Sequence, residues 1–449
     1  DQVNELSSSI WDPSSFAEEP LNPGPSDVNA TWAKWTSRFR QCLQIQAPLV
    51  GDAPCLRVSE LHKLRKHELK LHEARTRHDE EGIAQALDLI HKLERSEVAK
   101  WRKRIHPSTD QQQGAWLRHL FKWAASPSPP VPHSIASTRF GQEGFTTSLT
   151  GALQEIKSYL QVLYCSSSSF PEAANVPCVP ADLPTPATSL SSLQTIVAKA
   201  KPHKAAGLDG ITVEAFKLLP KEAIQALEVV FHDCLRQNKV PKAWLHCRVS
   251  CIPKKAGTSR VEDLRPLAVN PVTFRFFSKW ILTLEDGLQT RIPVNSVGGV
   301  PKRKAIFAWF PTGLKVESTW KLLHPGYLQG TAIDTAKFFD HITFSVAAEA
   351  LLFAGFHASK VATWCYALRH LQRYASMHGK VLAEPFPCGR GIPQGDPLSM
   401  IVAAATLGKW TTQIPMRLCS AHVFVDDRII VSHDSDCLLY TSPSPRDLN

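Results

Sequence analysis

Three aspartates stand where a folded chain could present carboxylates to a metal ion. Asp334 follows a short apolar run that predicts a strand, and Asp426 and Asp427 separate two apolar runs that predict a β-hairpin. Taken alone, Asp334 is more often the N-cap of a following helix, and Asp-Asp is ordinary turn chemistry. If Asp334 lay within about 4 Å of Asp426, the two charges would repel by on the order of 4 kcal/mol at an effective dielectric of about 20. Two Mg²⁺ ions, which prefer hard oxygen ligands, would offset that repulsion.

A glycine- and proline-rich loop lies between these carboxylates in the sequence. Its glycines would let the backbone approach a ligand closely. Gln394 could then contact a template base or an incoming nucleotide, whereas the alternative is a plain helix-entry loop. The segment reads Gly389-Arg390-Gly391-Ile392-Pro393-Gln394-Gly395-Asp396-Pro397-Leu398-Ser399.

Mixed helices and strands must position these segments. The periodicity of apolar residues predicts helices at about 190–200, 213–237, 271–290, 344–355, 358–376 and 396–412. Short β-branched or alternating runs predict strands at about 247–253, 328–334 and 421–432. The pattern is typical of an α+β domain.

In this order, the three segments resemble polymerase motifs A, B and C of reverse transcriptases, especially those of non-LTR (LINE-type) retrotransposons and group II introns. The family's usual forms are an Asp followed by Phe-Asp, a Gly-x-Pro-Gln-Gly-x-Pro-Leu-Ser loop and an aromatic-x-Asp-Asp hairpin. Upstream, 204–211 is similar to the Lys-x-x-Gly-x-Asp-Gly-Ile block that opens the fingers. Residues 249–255 and 263–268 resemble the fingers strands that end in Tyr-Arg-Pro-Ile, with Leu264 in place of Tyr. The resemblance spans about half of the chain.

The resemblance implies an RNA-directed DNA polymerase with the fingers and palm of a right-hand fold. It implies a two-metal transfer of a nucleotide from a dNTP to a primer 3′-hydroxyl, with Mg²⁺ as the ion and Mn²⁺ as its alternative. The implied partners are an RNA template, a DNA primer and a dNTP. Asp334, Asp426 and Asp427 match the family's catalytic, metal-binding carboxylates.

Basic residues of the fingers match the positions that face the triphosphate. These are Lys254 or Lys255, which the sequence does not distinguish, together with Arg265. An arginine can grip a phosphate through two parallel hydrogen bonds, which a lysine cannot do.

The sugar and base of the nucleotide have their own matching positions. Phe339 falls where the family places a bulky side chain under the sugar, which would exclude a 2′-hydroxyl and select deoxynucleotides. The alternative for Phe339 is a core aromatic. Gln394 and Gly395 would line the pocket for the template and the nucleotide.

A catalytically inactive remnant, acting at most as a nucleic-acid-binding module, is the alternative function. A complete enzyme of this family continues past the Asp-Asp hairpin into a thumb, whereas only residues 428–449 follow Asp427 here, so the thumb is expected to be absent. The stretch 437–449 resembles the translation of a transposase adapter used in sequencing libraries, and we expect it to be an artefactual tail.

Composition is consistent with a nucleic-acid partner. The net charge is +10 and the sequence pI is about 9.0, although a solvated basic surface would give the same values. The 11 cysteines are scattered without a CxxC pair, which favours a reducing intracellular setting, either nucleus or cytoplasm. No run of about eighteen apolar residues is present, so no membrane partner is expected. The oligomeric state is not indicated.

The sequence divides into five expected regions. Residues 1–56 are irregular with one short helix around 32–43, and 57–124 form a basic helical region with a hairpin broken near Gly82. Its basic ends, including Trp101, could contact nucleic acid, or they could be a solvated helix face. Residues 125–188 are Pro/Ser-rich linkers with a short helical segment, so the N-terminal half is expected to be helical and partly disordered. Residues 189–436 are expected to form the fingers and palm, followed by the 437–449 tail.

Overall fold

The structure is a computed structural model, and it describes a defined part of the chain. The described residues are 27–46, 59–105, 132, 135–137, 144–146, 148–165, 191–202, 204–255, 257–285, 287–306, 308–310, 312–314, 330–414 and 419–432. Expectations for 1–26, for most of the two Pro/Ser-rich stretches, for the Trp101 side chain and for the 437–449 tail lie outside these residues.

Helices dominate the upstream half of the described chain. In chain order the elements are α1 (Val28–Gln46), α2 (Ser59–Thr76), α3 (Glu80–Ile105), β1 (Ala136–Ser137), β2 (Gly144–Phe145), α4 (Leu149–Tyr164), α5 (Ser191–Lys199), α6 (Val213–Lys217) and α7 (Lys221–Gln237).

Strands and helices alternate in the downstream half. The elements are β3 (His246–Pro253), β4 (Leu264–Val269), α8 (Val272–Thr283), α9 (Leu288–Arg291), β5 (Gly330–Ile333), α10 (Phe338–His341), α11 (Phe344–Phe353), α12 (Ala358–His370), β6 (Gln372–Met377), β7 (Lys380–Val381), α13 (Pro397–Thr411), β8 (Cys419–Phe424) and β9 (Asp427–Ser432). This mixture confirms the α+β class predicted from the sequence.

The first sheet has the order β4-β3-β6-β7. β3 runs antiparallel to β4, with Pro253 opposite Leu264, and parallel to β6, with His246 opposite Gln372. Alternate residues of β3 are buried, as expected of a strand with one face on a core. That core is shared with α4, whose apolar stripe packs against the sheet. We call these four strands the fingers sheet, after the region that the resemblance implies.

The second sheet has the order β5-β9-β8 and carries the aspartates. β8 and β9 form an antiparallel hairpin, and β5 pairs antiparallel with β9. β5 therefore lies at one edge of the sheet. At the other edge, the Val297 N–H donates to the Val423 carbonyl at 3.0 Å, and the Val423 N–H donates to the Asn295 carbonyl at 2.8 Å. We call these three strands the palm sheet, after the region that the resemblance implies.

A large apolar core lies between the helices. α13 is buried along nearly its whole length, and it packs against α8, α11 and β8. α1 lies on α7, where Trp35 donates its indole N–H to the carbonyl of Ala223 at 3.0 Å. The short helix expected around 32–43 is therefore present and longer, because its Trp and Phe residues bury one face.

Several expected element boundaries were wrong. The helix expected over 271–290 ends at Thr283, and the helix expected over 213–237 is divided into α6 and α7. The helix expected over 358–376 ends at His370, and 372–377 is strand β6, because these residues pair with β3 in the middle of the fingers sheet. The expected helical hairpin is present as α2 and α3, with its break at 77–79, close to Gly82. Asp79 caps the second helix by accepting a hydrogen bond from the Gly82 N–H at 2.9 Å. In the ranges that the structure describes, no helix combines the length and the apolarity that a membrane crossing requires.

Candidate active site

Strand register brings the three aspartates to one edge of the palm sheet. Ile333 is paired with Arg428, so the next position, Asp334, comes opposite Asp427. Phe424 is paired with Asp427 across the hairpin, with Asp426 in the turn between them. Asp334 and Asp427 are exposed and Asp426 is half-buried. The three aspartates therefore come to one edge of the sheet.

The electrostatics of Asp426 reflect this arrangement. Burial raises the pKa of the Asp426 carboxyl, the charges of Asp427 and Asp334 raise it further, and Arg265 acts in the opposite direction. Neighbouring negative charges disfavour ionisation of a carboxyl group, and a cation bound between the carboxylates reduces their repulsion. In the part of the chain that is described, no group of three or more His, Cys, Asp or Glu side chains is placed so that it could hold a metal ion. The donor set, all carboxylate oxygen, fits a hard divalent cation such as Mg²⁺.

The turn that carries Asp426 is tightly braced. Val425 has a φ of +61°, a left-handed conformation that is rare for a β-branched residue and is held by its surroundings. Gly298 lies against it, and a Cβ at Gly298 would come within 2.4 Å of the Val425 nitrogen. The absence of a side chain at Gly298 is therefore required for the close approach of this segment to the turn.

A cation that the sequence reading missed stands beside Asp334. The Arg428 guanidinium donates a hydrogen bond to the Thr335 hydroxyl and lies over the Trp410 ring, 5.1 Å from its centroid. Burial lowers the pKa of Arg428, and the charge of Asp334 opposes that shift. Arg428 thus fixes the backbone that follows Asp334. In the sequence, the one indication that Arg428 belongs to the site is its position directly after Asp426 and Asp427.

The basic residues of the fingers lie at the end of β3 and on β4. Arg265 is exposed, and its charge acts on Asp426. Lys254 and Lys255 are both exposed, but the backbone N–H of Lys254 is bound to Asp263 at 2.9 Å. The Lys254 backbone is thus held against the segment before β4, directly after the end of β3.

Lys337 distinguishes these two lysines. Its ammonium donates to the carbonyl of Leu264 at 2.9 Å and lies 5.5 Å from the centroid of the Tyr159 ring. Burial lowers the pKa of Lys337, and the neighbouring charge of Lys254 lowers it further. Of the two lysines, Lys254 is thus the one whose charge acts on Lys337. Lys337 is, after Arg428, a second cation that the sequence did not indicate.

Phe339 lies between the core and the open side of the palm. Its ring is half-buried, packs against the main core and meets the Phe338 ring edge-on at 5.7 Å. Its carbonyl accepts a hydrogen bond from the Ile392 N–H at 2.9 Å. Both the sugar contact and the core alternative are compatible with this partial burial, so the role of Phe339 stays a prediction.

The glycine-rich loop bridges palm and fingers. The N–H of Gly391 is bound to Ile342 at 2.8 Å, and the carbonyl of Gln394 accepts from the Ala268 N–H at 3.0 Å. Gly395 has a φ of +122°, and a Cβ there would lie 3.0 Å from the Ala268 oxygen. The loop therefore follows the backbone of β4 closely, next to Phe339.

The helix after the loop begins on a buried carboxylate. Asp396 caps α13 by accepting from the Leu398 N–H at 2.9 Å, and the Ser278 hydroxyl donates to it at 2.8 Å. Burial raises the pKa of Asp396 to about 6. This cap fixes where the glycine-rich loop ends and the helix starts.

Asp340 is a further site residue to which the sequence reading gave no role. It is fully buried, accepts from Gln394 Nε2 at 3.1 Å and accepts from the Tyr164 hydroxyl at 2.6 Å. Burial raises the pKa of Asp340, while the hydrogen bond from Tyr164 opposes the shift. Asp340 is visible in the sequence as the second Asp of the Asp334 motif. Tyr164 lies in the region 125–188, which was expected to be linkers with a short helical segment, and it carries no such signal.

Comparison with known proteins agrees with this geometry. Residues 252–440 match the family described as "Reverse transcriptase (RNA-dependent DNA polymerase)". A stretch of 101 residues is 31% identical to the "RNA-directed DNA polymerase from mobile element jockey" of Drosophila melanogaster. That stretch is 22% of this chain and 11% of the relative, so the two proteins correspond over a small part of the relative's length. Over residues 252–440 the chain thus has the similarity to reverse transcriptases that the sequence predicted.

Proposed function

We propose that this chain, which carries a reverse transcriptase domain of the kind found in non-LTR retrotransposons, extends the 3′-hydroxyl of a DNA primer with deoxynucleoside triphosphates on an RNA template. The observation that carries the proposal is the strand register that brings Asp334 to the turn of Asp426 and Asp427. Residues 189–436 would then supply the fingers and palm.

Asp334 and Asp426 are the proposed principal metal ligands, with Asp427 beside them. Two Mg²⁺ ions bound there, or Mn²⁺ in their stead, would activate the 3′-hydroxyl and neutralise the triphosphate and the departing pyrophosphate. The chain itself holds the carboxylates at one sheet edge through the β5–β9 and β8–β9 ladders. The pKa of Asp426, raised first by burial and then by its two neighbours, supports the proposal because these like charges favour a cation.

Arg265 and Lys254 are the proposed contacts to the triphosphate. Arg265 lies near enough to Asp426 to act on its pKa, and Lys254 acts on that of Lys337. Charge-assisted hydrogen bonds from these groups would orient the reacting phosphorus toward the metal edge. Lys337, whose ammonium is held by Leu264, would contribute positive charge to the same region.

Phe339 is the proposed contact under the sugar, and Gln394 and Gly395 are the proposed lining of the template and nucleotide pocket. The hydrogen bond from Ile392 to Phe339 supports this grouping, as does the one from Ala268 to Gln394, because they tie the loop to both palm and fingers. A ring under the sugar would exclude a 2′-hydroxyl by steric overlap.

RNA-templated primer extension by this chain, with Mg²⁺ and dNTPs, tests the proposal. We expect the wild type to extend, and we expect Asp334→Ala and Asp426→Ala each to lower the rate by roughly 100-fold or more, because a metal ligand is lost. Asp88→Ala is the matched control, since Asp88 is exposed on α3 and pairs with Lys92.

The same assay separates the proposal from an inactive remnant that only binds nucleic acid. If the chain binds a primer–template duplex but none of the variants differs from the wild type in extension, the catalytic proposal fails and the binding module is supported.

A further inference from the structure

A buried polar cluster joins helix α4 to the glycine-rich loop. Tyr164, the last residue of α4, donates its hydroxyl to one oxygen of Asp340 at 2.6 Å. Gln394 donates its amide nitrogen to the other oxygen at 3.1 Å. Tyr164 is 3% exposed and Asp340 is 0% exposed. One buried carboxylate therefore receives a hydrogen bond from each side, and α4 lies upstream of the segment that matches the reverse transcriptase family.

The ring of Tyr164 is held on every side. The guanidinium of Arg373 lies 4.4 Å from its centroid, and Phe386 stacks against it at 6.0 Å. Gly391 closes the remaining side, since a Cβ there would come within 2.5 Å of the ring. Arg373 also donates to the carbonyl of Gly391. The hydroxyl is thus directed at Asp340 by packing, and the same packing holds the loop.

Backbone contacts fasten the loop to the end of α4 as well. The N–H of Gly389 is bound to the carbonyl of Tyr164 at 3.0 Å, and Arg390 donates to the carbonyl of Leu163 at 3.1 Å. These carbonyls are among the last of α4 and would otherwise lack a partner within the helix. The C-terminal end of α4 and the start of the glycine-rich loop are therefore held together by hydrogen bonds.

We propose that Tyr164 and Asp340 are positioning residues that set which atom Gln394 offers to a nucleotide or template base. The assignment of Gln394 to that pocket rests on the proposed function. An ionised carboxylate can only accept hydrogen bonds, so Gln394 must turn its NH₂ group toward Asp340. Its oxygen, Oε1, is then the atom left for a ligand. The pocket consequently offers an acceptor at this point and recognises a donor, such as an amine or a hydroxyl group.

The consequence for the domain is that α4 belongs to the polymerase site. Without the Tyr164 hydroxyl, Asp340 keeps only the hydrogen bond from Gln394, and its carboxylate is no longer fixed from the side of α4. The loop then loses the link to α4 that runs through Asp340. Removal of this one hydroxyl should therefore loosen the loop while the packing of the ring is retained.

Hydrogen–deuterium exchange on the full chain tests the mechanical part without requiring activity. We expect Tyr164→Phe to raise exchange several-fold in peptides covering 338–341 and 389–396, because local opening becomes easier, and to leave α7 unchanged. The matched control is Tyr374→Phe on the fingers sheet, where Tyr374 is half-buried. It removes a hydroxyl that donates to Gln372 at 2.9 Å and lies 3.0 Å from His246 Nδ1, and neither partner belongs to the loop. Unchanged exchange in both peptides would overturn the proposal, and so would a rise spread equally over the whole chain.

Steady-state kinetics test the specificity part. In primer extension, Tyr164→Phe should raise the KM for dNTP by roughly threefold or more with kcat nearly unchanged, and Asp340→Asn should do the same more strongly, because an asparagine lets Gln394 invert its amide. A fall in kcat with unchanged KM would overturn it. If the wild type does not extend a primer, the proposed function fails on that result, while the exchange experiment still decides whether Tyr164 holds the loop.

Discussion

Asp334 and Asp426 come from different strands, β5 and the β8–β9 hairpin, and the charge of Asp334 nevertheless contributes to raising the pKa of Asp426. The contribution is smaller than that of burial, which is the main cause, and than that of Asp427. This effect of Asp334 on Asp426 depends on the pairing of β5 with β9 in the register that places Ile333 opposite Arg428. A shift of this register by one residue would turn the Asp334 side chain to the other face of the sheet.

Gly298→Ala should destabilise the turn that carries Asp426. A Cβ at Gly298 would meet the Val425 nitrogen at 2.4 Å, and backbone there can move only if the hairpin moves. We expect a loss of about 1–3 kcal/mol in the free energy of unfolding, measured by urea titration, together with slower primer extension. Gly313→Ala is the control, because nothing lies within 4 Å of a Cβ at Gly313. Equal stability of both variants would contradict the close approach.

Lys254→Ala and Lys255→Ala form a matched pair for the triphosphate contact. Lys254 is the lysine whose charge lowers the pKa of Lys337 in addition to the main effect of burial. We expect Lys254→Ala to raise the KM for dNTP by roughly 10-fold, since a charge-assisted contact is lost. Lys255→Ala should change it by about twofold at most, as is usual for an exposed charge. The reverse order would assign the contact to Lys255.

Phe339→Val should admit ribonucleotides. The smaller side chain would leave room for a 2′-hydroxyl, so the ratio of rNTP to dNTP incorporation in primer extension should rise by roughly 10-fold or more. Phe353→Val is the control, because Phe353 is 37% exposed on α11. Unchanged sugar discrimination in Phe339→Val, accompanied by a loss of stability, would favour the core aromatic alternative.

Asp396 should give the fold a measurable pH dependence. Its pKa in the folded chain is about 6, mainly through burial, above the ordinary value of 3.8. Because the folded pKa is raised, the protonated form stabilises the fold, and that stability is full below about pH 4 and is lost as the pH rises through about 6. Asp396→Asn keeps an acceptor for Leu398 and cannot ionise.

Thermal unfolding between pH 4 and 8 measures this effect. The wild type should lose stability relative to Asp396→Asn across the range from pH 4 to 6, with little further change above pH 7. A constant difference between the two proteins at every pH would show that the titration of Asp396 does not affect stability.

The sequence was sufficient where chemistry depends on local residue patterns. The Asp334 segment, the 389–399 loop and the Asp426–Asp427 hairpin were recognisable because each is short and the strands around them alternate in a simple way. The strands expected at 247–253, 328–334 and 421–432 are present as β3, β5 and the β8–β9 hairpin.

Contacts between distant segments could not be predicted in the same way. β6 has the composition of the preceding helix, and only its pairing with β3 makes it a strand. Tyr164 has no motif around it, and its role depends on Asp340, which is distant in the sequence but adjacent in the fold. The sequence could not distinguish Lys254 from Lys255. In the fold, the charge of Lys254 acts on the pKa of Lys337, a residue more than eighty positions away in the chain.

Iron-mediated cleavage of the chain tests the shared metal edge most directly. When Fe²⁺ replaces Mg²⁺ and peroxide is added, radicals formed at the bound ion cut the backbone nearby. We predict two sets of cuts, one around 333–335 and one around 425–428, which Mg²⁺ competes away and Asp426→Asn abolishes together. Cuts at only one of the two segments, or cuts that persist in Asp426→Asn, would contradict a metal site shared by Asp334 and Asp426.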